Sequence, residues 1–164
     1  MNAIAMIHDG RRDFDFFYGD WRVRHAMLKR RGAGAAEWTE FTGTAACRSL
    51  MGGLCNVEEA DMPDRGVQGV AFRTFDIAHR IWSIHWVSSA DGLMTEPVHG
   101  RFENGEGHFY GVDVDDGRPV KVAFHWKDIT AGSAQWSQAF SYDDGRTWET
   151  NWIMNFTRAG RLGD

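Results

Sequence analysis

Between residues 20 and 158, short apolar-rich runs alternate with turn signals, and no stretch keeps a long helical period. Inside the runs, apolar and polar residues alternate every second position, as in strands with one face buried. In "RIWSIHWVSS" (80–89), Trp82, Ile84, Trp86 and Ser88 share one face, and Ile81, Ser83, His85 and Val87 share the other. The runs are rich in Val, Ile, Phe, Trp and Thr, which suit a pleated, half-buried surface. Nine breaks separate them: Gly32-Ala33-Gly34, Gly52-Gly53, Pro63-Asp64-Arg65-Gly66, Asp76-Ile77-Ala78, Asp91-Gly92, Asn104-Gly105, Asp116-Gly117, Ala131-Gly132 and Asp143-Asp144-Gly145. Asn-Gly and Asp-Gly pairs are strong hairpin signals, because a type I′ turn needs positive φ at both central residues.

Ten strands joined by consecutive hairpins form a meander. A flat meander leaves two bare edges, and closure removes them. The chain is therefore predicted to be all-β: a single antiparallel up-and-down β-barrel of about ten strands. One domain would cover residues 1–164, with 1–12 as a flexible N-terminal tail. "DFDFFYGDW" (13–21) reads as a short helical plug for one barrel end. Ten strands leave more interior room than eight, so a cavity is expected.

Putting the tryptophan face inward assigns an interior. Trp21, Val23 and His25 point in from the first strand, Asn56 and Glu58 from the third, and Arg73 and Phe75 from the fourth. Trp82 and Trp86 follow from the fifth, and Gly100 and Phe102 from the sixth. The seventh supplies Phe109, Gly111 and Asp113, and the eighth Val122, Phe124 and Trp126. The ninth supplies Trp136, Gln138 and Phe140, and the tenth Trp148, Trp152, Met154 and Phe156. A single bulge would flip the assignment on its strand.

Two further stretches make the architecture more specific. Gly19-Asp20-Trp21 enters the first strand after an apolar turn, and Arg158 closes the last, "NWIMNFTR". This pattern resembles the calycin superfamily of lipocalins and fatty-acid-binding proteins. That resemblance implies an Arg158–Trp21 cation–π stack at the barrel base. The stretches "GDWRVRH", "GGLCNVEE", "RIWSIHW", "GRPVKVAFHW" and "QAFSYDDGRTWETNWIMNFTR" resemble uncharacterised bacterial calycin-like barrels over most of residues 14–158. The resemblance implies a fold and little about chemistry.

Composition narrows the partners. A formal net charge of −5 and a pI near 5.8 argue against nucleic acid and anionic membranes. The cluster Arg22, Arg24, Lys29, Arg30 and Arg31 reads as a solvated strand edge. The opening "MNAIAMIHDGRRDF" has no signal-peptide core, and no window approaches the roughly 20 apolar residues of a membrane helix. A cytoplasmic location and free thiols at Cys47 and Cys55 are the expectation. Eight tryptophans and eleven phenylalanines require aromatic packing to dominate part of the fold.

The candidate site is an aromatic-lined cavity holding a few polar groups: His25, Asn56, Glu58, Arg73, Trp82, Trp86, Asp113, Trp126, Trp136, Gln138 and Trp152. Its expected use is binding a small, partly aromatic or anionic molecule, with Arg73 gripping an anion. A cofactor-free lyase, isomerase or cyclase is the alternative, with His25 or Glu58 as base and Arg73 stabilising negative charge. Haem on His25 is a lesser reading, and a homodimer through outer strand faces is another. A Glu58–Arg73 ion pair with a filled barrel is the plain structural one. No His-x-His or Cys-x-x-Cys pair occurs among the seven histidines and two cysteines, so neither metal nor cofactor is expected. "SYDDGRTW" (141–148) matches an Asp-box and reads as a turn device, since it occurs once.

Overall fold

The computed structural model describes residues 9–160. Ten strands follow one another: β1 (Gly19–Leu28), β2 (Trp38–Leu50), β3 (Cys55–Met62), β4 (Val67–Asp76), β5 (Ile81–Ser88), β6 (Val98–Glu103), β7 (Glu106–Asp115), β8 (Arg118–Lys127), β9 (Ser133–Ser141) and β10 (Glu149–Arg158). Each pairs antiparallel with its neighbour in sequence, and β1 pairs with β10, so the sheet closes into a barrel with no free edge. All nine connections fall on the predicted breaks. At Asn104-Gly105 and Asp116-Gly117 both residues take positive φ (53° and 79°, 49° and 75°), the geometry that lets two residues join strands of right-handed twist.

The predicted helical plug is not formed. Asp15–Phe17 makes a single 3₁₀ turn instead. Phe14 and Phe17 stand three residues apart, the repeat of a 3₁₀ turn, and both are fully buried across the barrel base. The chain must then enter β1 at once through Gly19, at φ 107°, which leaves no room for a second turn. Residues 9–12 reach the same base, where the Gly10 carbonyl accepts a hydrogen bond from Trp82 Nε1 (3.0 Å). Residues 1–8 of the expected tail lie outside the described residues.

The base is an aromatic core. Phe17 stacks on Trp21 (5.5 Å, 20°), Trp126 on Phe156 (5.4 Å, 27°), and Phe14 meets Trp82 and Phe102 edge-on, each at 5.0 Å. Arg158 lies over Trp21 at 4.2 Å. Its guanidinium also donates to the carbonyls of Tyr18 (2.7 Å), Phe16 (2.8 Å) and Ala131 (2.9 Å). One side chain thus ties the 3₁₀ turn, the β8–β9 loop and the last strand to the first.

Trp148 corrects the inward assignment of the tenth strand. The ladder between β9 and β10 shifts between Thr150 and Trp152, leaving Asn151 as an extra residue. A bulge reverses the parity of everything before it. Trp148 therefore lies half-exposed outside the barrel, beside Tyr110 at 6.3 Å, while Trp152, Met154 and Phe156 keep their inward face. The Asp-box folds as a turn: Ser141 Oγ accepts from Gly145 N–H, and Asp143 accepts from the Thr147 amide and hydroxyl. Those Thr147 bonds hold the Asp143 carboxyl down to about 2.

Candidate functional site

Aromatic packing at the base leaves the opposite half of the barrel open, and a cavity of about 230 Å³ occupies it. Its walls are Trp86 from β5, Phe124 from β8, Trp136 and Phe140 from β9, and Trp152 and Met154 from β10. The indoles cross nearly at right angles: Trp136 to Trp152 at 5.3 Å and 90°, and Trp86 to Trp152 at 6.3 Å and 82°. Edge-to-face packing sets each ring's positive rim against its neighbour's negative face. Gly69 makes room for this wall, since a Cβ there would stand 2.0 Å from Trp86 Cη2.

Glu58, Arg73 and Trp126 form the floor. Asn56 and Arg73 are register partners on β3 and β4, and Glu58 follows Asn56 by two residues, so all three side chains point inward. Arg73 Nη2 donates to Glu58 Oε2, and Nη1 donates to Asn56 Oδ1 at 3.0 Å. The guanidinium also sits 5.0 Å from the Phe14 ring centre and 5.3 Å from that of Phe17, so it bridges the cavity and the 3₁₀ turn at the base. Arg73 Nε and Trp126 Nε1 are buried donors that make no hydrogen bond to any described residue.

The mouth is polar. Arg31 pairs with Asp115 (2.7 Å), and Tyr142 donates to the same carboxylate (2.6 Å). Burial, followed by that contact, pushes the Tyr142 hydroxyl above its ordinary range. Arg118 stacks over Tyr142 at 4.2 Å. Asp113 and Glu96 complete the rim, and the Asp113 side chain is exposed.

Of the residues expected from the sequence, Glu58, Arg73, Trp86, Asp113, Trp126, Trp136, Gln138 and Trp152 line this one space. His25, Asn56 and Trp82 do not. Trp82 is fully buried in the base, and Asn56 is fully buried behind Arg73. His25 is buried against Phe41, ring on ring at 4.5 Å, and its Nδ1 accepts from Trp152 Nε1 at 3.1 Å. The proton therefore resides on Nε2, and the basic nitrogen is already occupied. Cavity residues that sequence reasoning missed include Met27, Ala71, Thr95 and Glu96. Met27 continues the parity of His25 and could have been found. Thr95 and Glu96 lie in a loop, where no period applies. Cys47 is a buried thiol pushed up to about 12 by burial, and is unreactive for that reason.

Burial holds the His25 imidazole down to about 4, with Arg65 adding a smaller push in the same direction. An unfolded chain would take up that proton near 6.5. The unfolded state thus binds the proton first, and stability is lost as pH falls from about 6.5 toward 4, with no further loss below. The difference corresponds to roughly 3 kcal/mol. His25→Phe should remove this component. Urea midpoints of both proteins between pH 7 and 4 check it, and parallel curves would refute it.

No protein-family model matches this chain, and no curated protein does either. Solved structures do. The S-type phycobiliprotein lyase CPES from Guillardia theta aligns with a TM-score of 0.57 at 10% identity, over 97% of this chain and 99% of that one. At that identity the likeness is one of fold: a closed antiparallel β-barrel.

Proposed function

We propose that the barrel binds a small, flat, mostly apolar ring compound between Trp86, Trp136 and Trp152. The observation that carries this reading is the aromatic cavity itself, walled by three indoles that cross nearly at right angles. The volume of about 230 Å³ lies below the usual range of roughly 300–1,000 Å³ and suits one or two rings.

Charge favours a neutral or cationic ligand over the anionic class. The lining holds four carboxylates, Glu58, Glu96, Asp113 and Asp115, against two guanidiniums, Arg31 and Arg73. Both guanidiniums already have carboxylate partners. Binding is favoured over acid/base turnover, because Glu58 is committed to Arg73 and His25 lies outside the lining. Haem on His25 is disfavoured for the same reason. A phycobiliprotein lyase of the same fold puts bilins among the ligands to try, although a whole linear tetrapyrrole would have to project from a cavity this small.

The test is tryptophan fluorescence, titrated with one- and two-ring aromatic compounds that are neutral, cationic or carboxylate-bearing, and with a bilin. Neutral or cationic compounds are expected to quench saturably. Ala71, in the wall beside Trp86, accepts a larger side chain only at the cavity's expense. Ala71→Leu should weaken binding at least about tenfold, equivalent to 1.4 kcal/mol. Absence of quenching across the panel, or quenching indifferent to Ala71→Leu, would overturn the proposal.

A further inference from the structure

We propose that Glu106, His108 and His125 form a divalent transition-metal site, of the zinc or copper class, on the outer wall of the barrel across β7 and β8. Glu106 and His108 are two residues apart on β7 and so share a face. His108 and His125 are register partners. That face points outward, since the neighbouring Gly107, Phe109 and Trp126 are buried. The triad thus stands on the far side of the wall from the cavity, and its test is independent of the ligand reading.

One donor atom from each residue lies within 4.8 Å of the other two. His125 Nε2 is 2.8 Å from Glu106 Oε2, and His108 Nε2 is 3.6 Å from the same oxygen. Tetrahedral zinc, with bonds of about 2.0–2.1 Å, sets ligand–ligand edges of roughly 3.3 Å, between those two distances. The imidazoles are stacked at 4.5 Å and 18°. Turning them about their Cβ–Cγ bonds would aim both Nε2 lone pairs at a shared ion. Their partial exposure, 46% and 33% of the side chains, leaves space for that turn.

The donor chemistry fits. Imidazole suits zinc and copper, and carboxylate adds a charged oxygen. Glu106, an exposed-face carboxylate, supplies the negative charge that a divalent ion favours. Arg101, the register partner of His108, and Lys127 flank the triad, and both are long enough to swing into solvent. Three protein ligands leave the fourth position for water. The ion would clip β7 to β8, two strands otherwise joined by the two-residue Asp116-Gly117 turn and their ladder.

The experiment uses the full chain freed of metal with a chelator and titrated calorimetrically with zinc sulfate. One ion per chain is expected, with a rise in the thermal midpoint because the ion binds only the folded state. His108→Ala and His125→Ala should each weaken binding at least about tenfold. Outer-shell partners alone cost 10–100-fold, and a direct ligand costs no less. Glu106→Gln should weaken it too, while His79→Ala, an exposed histidine elsewhere, should leave it unchanged. Copper(II) bound to the wild type should show two nitrogen ligands by electron paramagnetic resonance. No stoichiometric zinc binding, or equal binding by the His108→Ala/His125→Ala double variant with its fold verified by circular dichroism, would overturn the assignment.

Discussion

Trp21→Ala is expected to cost about 3–5 kcal/mol, a large share of the roughly 5–15 kcal/mol that holds an ordinary domain folded. Trp21 is 1% exposed, stacks on Phe17, carries Arg158 on its other face, and donates Nε1–H to the Phe17 carbonyl at 2.9 Å. Truncation would leave a cavity at the barrel base and release the 3₁₀ turn that the indole holds. Arg158→Ala should cost less, on the order of 2 kcal/mol, because water can replace part of what its partly exposed guanidinium donates. Arg158→Lys should recover little, since an ammonium cannot reach three carbonyls and stack at once. Denaturant unfolding of the two single variants and the double variant gives the coupling between them. A coupling below about 0.5 kcal/mol would refute the stack as a shared element.

Arg73→Met should be comparably severe, about 3–5 kcal/mol, because it strands the Glu58 carboxylate in the interior. Both side chains are nearly inaccessible, at 4% and 5% exposure. The remaining carboxylate would sit buried without its guanidinium, which is the costly half of a broken pair. Adding Glu58→Leu should restore much of the loss, since apolar replacement of a buried pair is often close to neutral. Urea unfolding at neutral pH measures all three proteins. A harmless Arg73→Met would mean that the pair is not what holds the floor, and that Arg73 is available to a ligand after all.

Much of this barrel can be read along the chain. Asn104-Gly105 and Asp116-Gly117 announce their turns because few other dipeptides accept two successive positive φ values. Period-two alternation assigns the inward face wherever the register is regular, which is why Glu58, Arg73, Trp86 and Trp136, with Trp152 on the regular side of the β10 irregularity, could be placed together beforehand. The one reversal, Trp148, follows from the extra residue at Asn151. A bulge leaves no composition signal, because it inserts an ordinary residue into an ordinary strand.

The sequence by itself determined the strand count, the turns, the order of pairing and, Trp148 aside, the inward set, because each depends on local backbone preference or on a period of two. Tertiary structure decided which inward aromatics are core and which are cavity wall. Trp82 and Trp86 are indistinguishable on their strand, yet Phe14 packs against Trp82 at the base while Trp86 looks into open space. That division depends on how far the N-terminal 3₁₀ turn reaches into the barrel, a distance no periodicity encodes. Tertiary structure likewise set His25 against Trp152, 127 residues away, and His108 opposite His125. Contacts across strands depend on register, and register is settled only when the whole sheet closes and every strand must satisfy both neighbours at once.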